Sequence, residues 1–399
     1  MPGAALYIAF DVYPRPKGAS SHIASMLGAL AGEFESVHAL CLGDREMPVT
    51  TREGNIVIHR LLAGMHVDFL DRVTAFAQFV TAQVAALGPR LRLIVFRDPW
   101  GGAAAMRAVA GVPTIFEVNA LPSWELGYAR QGMAESPTFA AKLGDLERLC
   151  LSRANGILCV SGVTRRALAN EGFDASKMQV IPNSAPDECF SPASCIELPE
   201  GDWIGYVGGL QPWQGVESLI DAFALLAPGH PQARLLIAHS GSRDARALER
   251  RIADRGLASR VLLHDPLPIS ELAATIARMR CTVAPLADTP RNTHQGCCPV
   301  KIVESMAVGT PVVATDLEVC RELITHGDDG WLVKRGDIRA LALGLERLLT
   351  DDELRGQLAD DAKSTARERF GRANTHVELR RVFRSVAASR NGAETWRAS

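Results

Sequence analysis

The sequence predicts an α/β protein built from two doubly wound domains. At 399 residues the chain exceeds what one hydrophobic core usually organises, and two domains of ordinary size account for its length. Short runs that are apolar on both faces alternate with segments of helical period, which is the pattern of parallel sheets covered by helices on both sides. The alternation stops at residues 191–202 and then starts again, which indicates a linker between two such sheets.

The first half contains one complete set of strands and helices. Its first apolar run, within MPGAALYIAFDVYP, has no basic leader, and we interpret it as a buried strand rather than a secretion signal. The predicted strands are 6–10, 37–42, 56–61, 93–96, 113–118, 156–161 and 179–182, and the predicted helices are 21–32, 67–87 and 139–152.

The second half repeats the pattern after the linker SPASCIELPEGD, which has two prolines, a glycine and no periodicity. A helix-rich tail follows it. We therefore expect a Rossmann-like domain at 1–195, a second at 196–370 and a C-terminal helix at 371–399 that packs back on the first domain. The predicted strands are 203–207, 234–238, 260–264, 281–285, 311–315 and 330–333, and the predicted helices are 216–226, 243–255, 269–279, 300–308 and 338–349.

Composition and charge argue against several classes of partner. The 43 basic and 45 acidic residues form no blocks, which argues against nucleic-acid binding and against a polybasic membrane anchor. The nine cysteines are irregularly spaced without a zinc-binding pattern, so we expect reduced thiols, no metal and a cytoplasmic protein. No apolar stretch approaches the about 18 residues needed to cross a bilayer, so any membrane contact would be peripheral.

The stretch 281–316, CTVAPLADTPRNTHQGCCPVKIVESMAVGTPVVATD, carries the strongest functional signal. Pro299 suits the first turn of a helix that begins near Val300, and the free amides of that helix could bind a diphosphate. Lys301 opposes the helix dipole, which makes sense beside a phosphate, although it could equally be a solvated helix lysine. Glu304 lies one turn further on the same face and could hold ribose hydroxyls, or it could be a surface glutamate.

Three segments resemble the retaining glycosyltransferase family 4, whose members have the GT-B fold: PVKIVESMAVGTPVVATDLEVCRELI, GYVGGLQPWQGVESLIDAFALL and VIPN at 180–183. The loop PRPKGASSHI, the segment FEVNALPSWE and the run GILCVS follow the family's order, so the resemblance covers nearly the whole chain. It is greatest to a subgroup with a Pro-Trp-His-Gly turn and a Pro-Leu-Lys-x-x-Glu helix start. The resemblance implies a GT-B fold with two Rossmann-like domains facing a central cleft.

The resemblance also assigns donor residues, with two departures. Glu304 corresponds to the second glutamate of the family's paired motif, which binds the donor ribose, whereas Gly296 stands in place of the first. Gly209 and Gln214 stand where the family has an arginine and a lysine that neutralise the leaving diphosphate. We expect Lys301 and Arg291 to substitute for them. The full set of expected donor-binding residues is Gly18, Ala19, Gly208, Gly209, Gln214, Leu263, Arg291, Cys297, Cys298, Pro299, Val300, Lys301 and Glu304.

In the first domain, the loop of Lys17, Gly18 and Ala19 joins the first strand to the first helix, and its glycine would let backbone amides approach an anion. Asn119 stands where many family members place a histidine that contacts the donor sugar. We therefore count it with Lys301 and Glu304 as a catalytic residue. The expected acceptor-side residues are Lys17, His22, Arg97 and Glu125, although structural salt bridges would explain Arg97 and Glu125 equally well.

The resemblance implies a metal-independent hexosyltransferase that moves a sugar from a nucleoside diphosphate donor to an acceptor nucleophile, with retention of configuration. No cofactor is expected beyond the donor substrate, for which uridine is preferred over guanosine. Lipid-linked glycans, small thiols and natural-product aglycones all stay open as acceptors. Two alternative functions stay open as well: a non-catalytic nucleotide-sugar-binding protein and a sugar-nucleotide epimerase of the same fold.

Overall fold

A computed structural model of the chain describes residues 1–16, 18–62, 68–129, 136–192, 195–240 and 242–389. The chain divides into two compact units. The first comprises Met1–Arg15, Ala19–Ile181 and His376–Ser399, and the second comprises Pro16–Gly18 and Pro182–Thr375.

The sheet of the first unit has the strand order β3-β4-β2-β1-β5-β6-β7-β8. All neighbours in it pair in parallel except β3 and β4. Successive residues of β1 pack on opposite faces, Ile8 with Phe96 and Tyr7 with Phe383 of the last helix. The strands are β1 Ala4–Val12, β2 Ser36–Leu42, β3 Thr50–Glu53, β4 Ile56–Leu61, β5 Leu91–Phe96, β6 Thr114–Val118, β7 Gly156–Cys159 and β8 Met178–Val180. The helices are α1 Gly18–Ala31, α2 Phe69–Leu87, α3 Pro99–Ala108, α4 Pro122–Ala129, α5 Pro137–Arg153 and α6 Gly162–Asn170.

The sheet of the second unit is wholly parallel, with the order β11-β10-β9-β12-β13-β14. Its buried strands are rich in valine, isoleucine and leucine, as expected for a sheet covered on both faces. The strands are β9 Asp202–Gly209, β10 Ala233–Ser240, β11 Val261–His264, β12 Cys281–Ala284, β13 Val312–Thr315 and β14 Trp331–Val333. The helices are α7 Val216–Leu226, α8 Ser242–Asp254, α9 Ile269–Ile276, α10 Val300–Val308, α11 Glu318–Arg321, α12 Ile338–Thr350, α13 Asp352–Thr365 and α14 Arg372–Ala388, of which the residues from His376 on group with the first unit.

The second unit begins at Pro182, earlier than the start at 196 that the linker composition predicts. Hydrogen bonds within the unit explain the difference. The side chain of Asn183 donates to the carbonyl of Cys298 at 2.9 Å, and the amide of Ala185 donates to the carbonyl of Phe370 at 2.8 Å.

The structure contains two kinds of element that the sequence analysis did not predict. Strand β3 is a polar edge strand that pairs antiparallel with β4, so the first sheet is not purely parallel as the sequence predicted. Helices α3, α4 and α6 are short, with 8 to 10 residues each. In α3, two glycines weaken the helix signal, and the carboxylate of Asp98, which accepts from the amide of Gly101 at 2.8 Å, caps its start.

Candidate functional site

In both sheets the chain reverses its direction of winding beside a central strand. Strand β1 lies between β2 and β5, and strand β9 lies between β10 and β12. In doubly wound sheets such switch points, at the carboxyl ends of the strands, are where ligands bind.

In the second unit, helix α10 follows the loop after β12 and begins directly after Pro299. Within the described part of the chain, no side chain caps its first amides. The hydroxyl of Thr282 on β12 donates to that of Ser305 at 2.8 Å, which fastens the helix to the sheet. Lys301 lies in its first turn and Glu304 three residues on, so both side chains occupy the same face.

The side chain of Lys301 reaches the turn that follows β9. Its Nζ donates to Oε1 of Gln214 at 2.6 Å and to Oη of Tyr206 at 3.1 Å. It also lies 4.2 Å from the centre of the Tyr206 ring, within range of a cation–π interaction. A Cβ on Gly208 would lie 2.9 Å from Nζ, so the ammonium occupies the space that a side chain would fill. Lys301, Gln214 and Gly208, three of the predicted donor residues, are therefore brought together.

Glu304 is 5% exposed, and no described residue donates a hydrogen bond to its carboxyl group. Burial raises the pKa of Glu304 to about 7, and the nearby Lys301 opposes that rise. Burial likewise lowers the pKa of Lys301 to about 7. For both groups the effect of burial on the pKa outweighs the attraction between the two charges.

The loop before α10 holds further predicted donor residues. Arg291 is buried, and its Nη1 donates to the carbonyl of Gly296 within the loop. Gly296 has φ 78° and ψ 165°, a conformation in which a glutamate would be strained. Cys298 is buried, and Cys297 is partly exposed. Leu263 lies on the edge strand β11.

The turn after β9 is anchored to this loop. The side-chain amide of Asn292 donates to the carbonyls of Trp213 and Ala287, each at 2.8 Å. Gly215 has φ 70°, and a Cβ there would lie 1.8 Å from the carbonyl oxygen of Pro285. Only glycine fits at that position, so the backbone of the turn is fixed against the loop.

In the first unit, Glu117 on β6 is the centre of a buried polar cluster. Its carboxylate accepts from Tyr7 Oη at 2.9 Å, lies 2.6 Å from His22 Nε2 and accepts from the side-chain amide of Asn119. Burial alone would raise the pKa of Glu117, but His22, Arg97 and Tyr7 lower it to about 2. The sequence reasoning missed Glu117 and Tyr7. A charged residue inside the apolar run TIFEV is the signal that would have found the former.

Arg97 follows β5 beside this cluster. Its Nε lies 3.6 Å from Asp11 Oδ2, and its Nη1 donates to the carbonyl of Ala19 at 3.5 Å. Burial opposes the charged form, yet Tyr7 and the carboxylates of Asp11 and Glu117 raise the pKa of Arg97 above its usual value. The sequence-based alternative of a salt bridge describes this geometry as well as an acceptor contact does.

The other residues expected in the first domain are Lys17, Gly18 and Glu125. Gly18 is the first residue of α1, and Lys17 falls outside the described residues. Glu125 lies in the first turn of α4. Of the expected acceptor-side residues, the structure brings together His22 and Arg97, with Asn119 beside them.

The described residues contain no group of three histidine, cysteine or acidic side chains that could hold a metal ion. No helix among them is long and apolar enough to span a membrane.

Two family profiles match consecutive parts of the chain. "Glycosyl transferase 4-like domain" matches residues 17–184, and "Glycosyl transferases group 1" matches residues 201–351. A D-inositol 3-phosphate glycosyltransferase of Corynebacterium urealyticum is 29% identical over 58% of this chain and 57% of its own length. An exopolysaccharide phosphotransferase of Streptomyces coelicolor is 32% identical over 46% of this chain and 18% of its own length. The chain thus spans little more than half, or less, of these curated relatives.

Solved structures share the fold over almost the whole chain. Sucrose-phosphate synthase from Thermosynechococcus elongatus superposes with a TM-score of 0.81 at 18% identity, covering 97% of this chain and 100% of that one. Anabaena HepE in complex with UDP-glucose gives a TM-score of 0.70 at 18% identity, covering 96% and 100%. The predicted GT-B fold, with two Rossmann-like α/β domains, is confirmed.

Proposed function

The chain belongs to the glycosyltransferases of the family-4 type, and from this premise we propose that it transfers a hexose-type sugar from a nucleoside diphosphate donor to an acceptor nucleophile. The anomeric configuration is retained, as the family resemblance implies. The structure of Anabaena HepE, which shares the fold, supports this donor class because it contains UDP-glucose. We accordingly prefer a uridine diphosphate sugar to a guanosine diphosphate sugar.

The observation that carries this proposal is the pair of Lys301 and Glu304 on the first turns of α10. The partly buried ammonium of Lys301, and the buried carboxyl group of Glu304 to which no described residue donates a hydrogen bond, are costly unless a ligand compensates them. A nucleoside diphosphate offers both complements, since its phosphates are anionic and its ribose hydroxyls donate hydrogen bonds. The uncapped amides of α10 add further donors for a phosphate.

Departure of the nucleoside diphosphate develops negative charge on the oxygen that leaves the sugar. Lys301 and the helix amides would stabilise that charge, which is the role that a divalent cation plays in metal-dependent transferases. We propose that this chain needs no metal for that reason. The first unit would bind the acceptor through Arg97 and His22, with Asn119 contacting the sugar, and Glu117 would orient His22 and Asn119.

The test combines binding and turnover. Ligand binding raises the melting temperature in proportion to affinity and occupancy, so UDP, GDP and their glucose, N-acetylglucosamine and mannose conjugates are compared by thermal shift. The conjugate that gives the largest shift is then incubated with candidate acceptors in EDTA, and the anomeric configuration of the product is read by NMR. No shift with any nucleotide would refute the proposal, and an inverted product would refute retention.

A non-catalytic nucleotide-sugar-binding protein is the second candidate, and Gly296 is the observation that favours it. The backbone at this position is incompatible with the glutamate that the family places there, so the loss is built into the loop. Tight donor binding by calorimetry without release of nucleoside diphosphate, with water or with any acceptor, would favour this alternative.

A further inference from the structure

We propose that Gln214 and Tyr206 are positioning residues, which aim the ammonium group of Lys301 at the diphosphate of the donor. This inference rests on the proposed function and deepens it. It is carried by the contacts of Lys301 with two neutral side chains, Tyr206 on β9 and Gln214 in the turn that follows it.

The hydrogen bonds of Lys301 leave one of its N–H donors for a ligand. An ammonium group has three N–H donors and no acceptor. Two donors of Lys301 are used, by Oε1 of Gln214 and Oη of Tyr206. The third has no partner among the described residues. Two fixed acceptors determine the direction of the third N–H, so the turn sets where an incoming phosphate oxygen binds.

The charge of the two partners supports the same role. Both partners of Lys301 are neutral: Gln214 is an amide, and burial raises the pKa of Tyr206 above its usual value, so its phenol stays protonated. The same phenol donates to the carbonyl of Gly209 at 2.5 Å, which holds it in place. Such partners orient the ammonium without cancelling its charge. A carboxylate in either position would compete with the phosphate for Lys301.

The position of the Lys301 ammonium beside residue 214 supports it as well. The family resemblance expects a cationic side chain at position 214, where this chain has glutamine. Lys301 comes from a different element, yet its Nζ lies 2.6 Å from the side chain at that position, and Gly208 leaves it room. The cationic side chain therefore comes from α10 instead of from the turn, and Gln214 in the turn accepts its hydrogen bond.

The test measures UDP and GDP binding by isothermal titration calorimetry, which requires no knowledge of the acceptor. Gln214→Leu and Tyr206→Phe should each weaken binding of the nucleotide that the wild type prefers by about tenfold, the scale of one hydrogen bond to a charged group. Tyr206→Phe keeps the ring and its packing and therefore separates the hydroxyl from the fold. Gln211→Leu is the matched control, since it makes the same change at an exposed glutamine of the same turn and should leave binding unchanged.

A double-mutant cycle shows whether these residues act through Lys301. In a Lys301→Ala background, Gln214→Leu should cause less than a twofold further loss, because there is no ammonium left to position. Full additivity would mean that Gln214 acts on the ligand by itself or on the fold alone, and it would overturn the inference. Unchanged binding by both single variants would overturn it as well.

The pH dependence of binding gives a readout that a purely structural role would not move. The charged or titratable groups near Lys301 are Glu304 on the same helix and the thiols of Cys297 and Cys320. Nucleotide affinity should fall as rising pH deprotonates Lys301, and Gln214→Leu should move that fall to lower pH because the ammonium loses an acceptor. A profile that does not move would contradict the inference. Wild-type protein that binds neither UDP nor GDP would refute the proposed function itself, which is a different outcome.

Discussion

The two polar clusters of this protein differ in how completely the chain satisfies them. In the first unit the buried carboxylate of Glu117 has three hydrogen-bonding partners, and its pKa is lowered to about 2. In the second unit the buried carboxyl of Glu304 has no hydrogen-bond donor among the described residues, and its pKa is raised to about 7. The chain itself therefore satisfies the carboxylate of the first cluster, whereas the second cluster is complementary to a ligand that the chain does not itself supply.

The largest effect is expected from breaking the hydrogen-bond network around Glu117. Glu117→Ala removes a buried carboxylate and leaves Arg97, His22 and Tyr7 without it, which should lower the free energy of unfolding by about 3–5 kcal/mol. Chemical denaturation measures this, with the exposed Glu53→Ala on β3 as control. A loss below about 1 kcal/mol would show that the network contributes little.

The next effect concerns turnover. Lys301→Ala should raise the barrier of the transfer step by about 2–4 kcal/mol, on the scale of losing one oxyanion donor, while the fold stays intact. The rate of nucleoside diphosphate release from the preferred donor measures it, and Lys334→Ala on the surface of the same unit is the control. An unchanged kcat would remove Lys301 from the mechanism.

The comparison is sharpest for Glu304→Gln, because we expect binding and stability to move in different directions. Binding of the nucleoside diphosphate should weaken by about tenfold or more, since the ribose hydroxyls lose a charged acceptor. At pH 8 the free energy of unfolding should stay the same or increase, because a buried carboxylate without hydrogen-bond donors is replaced by a neutral group. Destabilisation with unchanged affinity would reverse the assignment of the two clusters.

The pH dependence of stability gives the smallest effect. The folded pKa of Glu304, about 7, exceeds its ordinary 4.5, so the folded state binds more protons than the unfolded state between these values. Its contribution to stability is thus present below about pH 4.5 and is lost as the pH rises towards 7. Wild type should therefore lose about 1–3 kcal/mol relative to Glu304→Gln over this window, as measured by denaturation at a series of pH values. Parallel curves for the two proteins would contradict the raised pKa.

Much of the fold could be read from the sequence because parallel strands buried on both faces must be apolar along their whole length. The predicted helices 216–226 and 300–308 coincide with α7 and α10, and the predicted strand 56–61 coincides with β4. Strand β3 was not predicted because its polar side chains TTRE lie mostly exposed at the sheet edge, so no apolar pattern marks it. Helix α3 was not predicted because two glycines interrupt it and it has no clear amphipathic period, although Asp98 caps its start.

The sequence by itself determined the two doubly wound domains and the spacing of Lys301 and Glu304, since helical geometry fixes which residues three apart share a face. Only the tertiary structure decided which partners these groups meet. Lys301 joins Tyr206 and Gln214 across 87 or more residues of chain, and Glu117 joins Tyr7 and His22 in the same way. Such contacts depend on the crossing of strands and the packing of helices, for which local periodicity carries no signal.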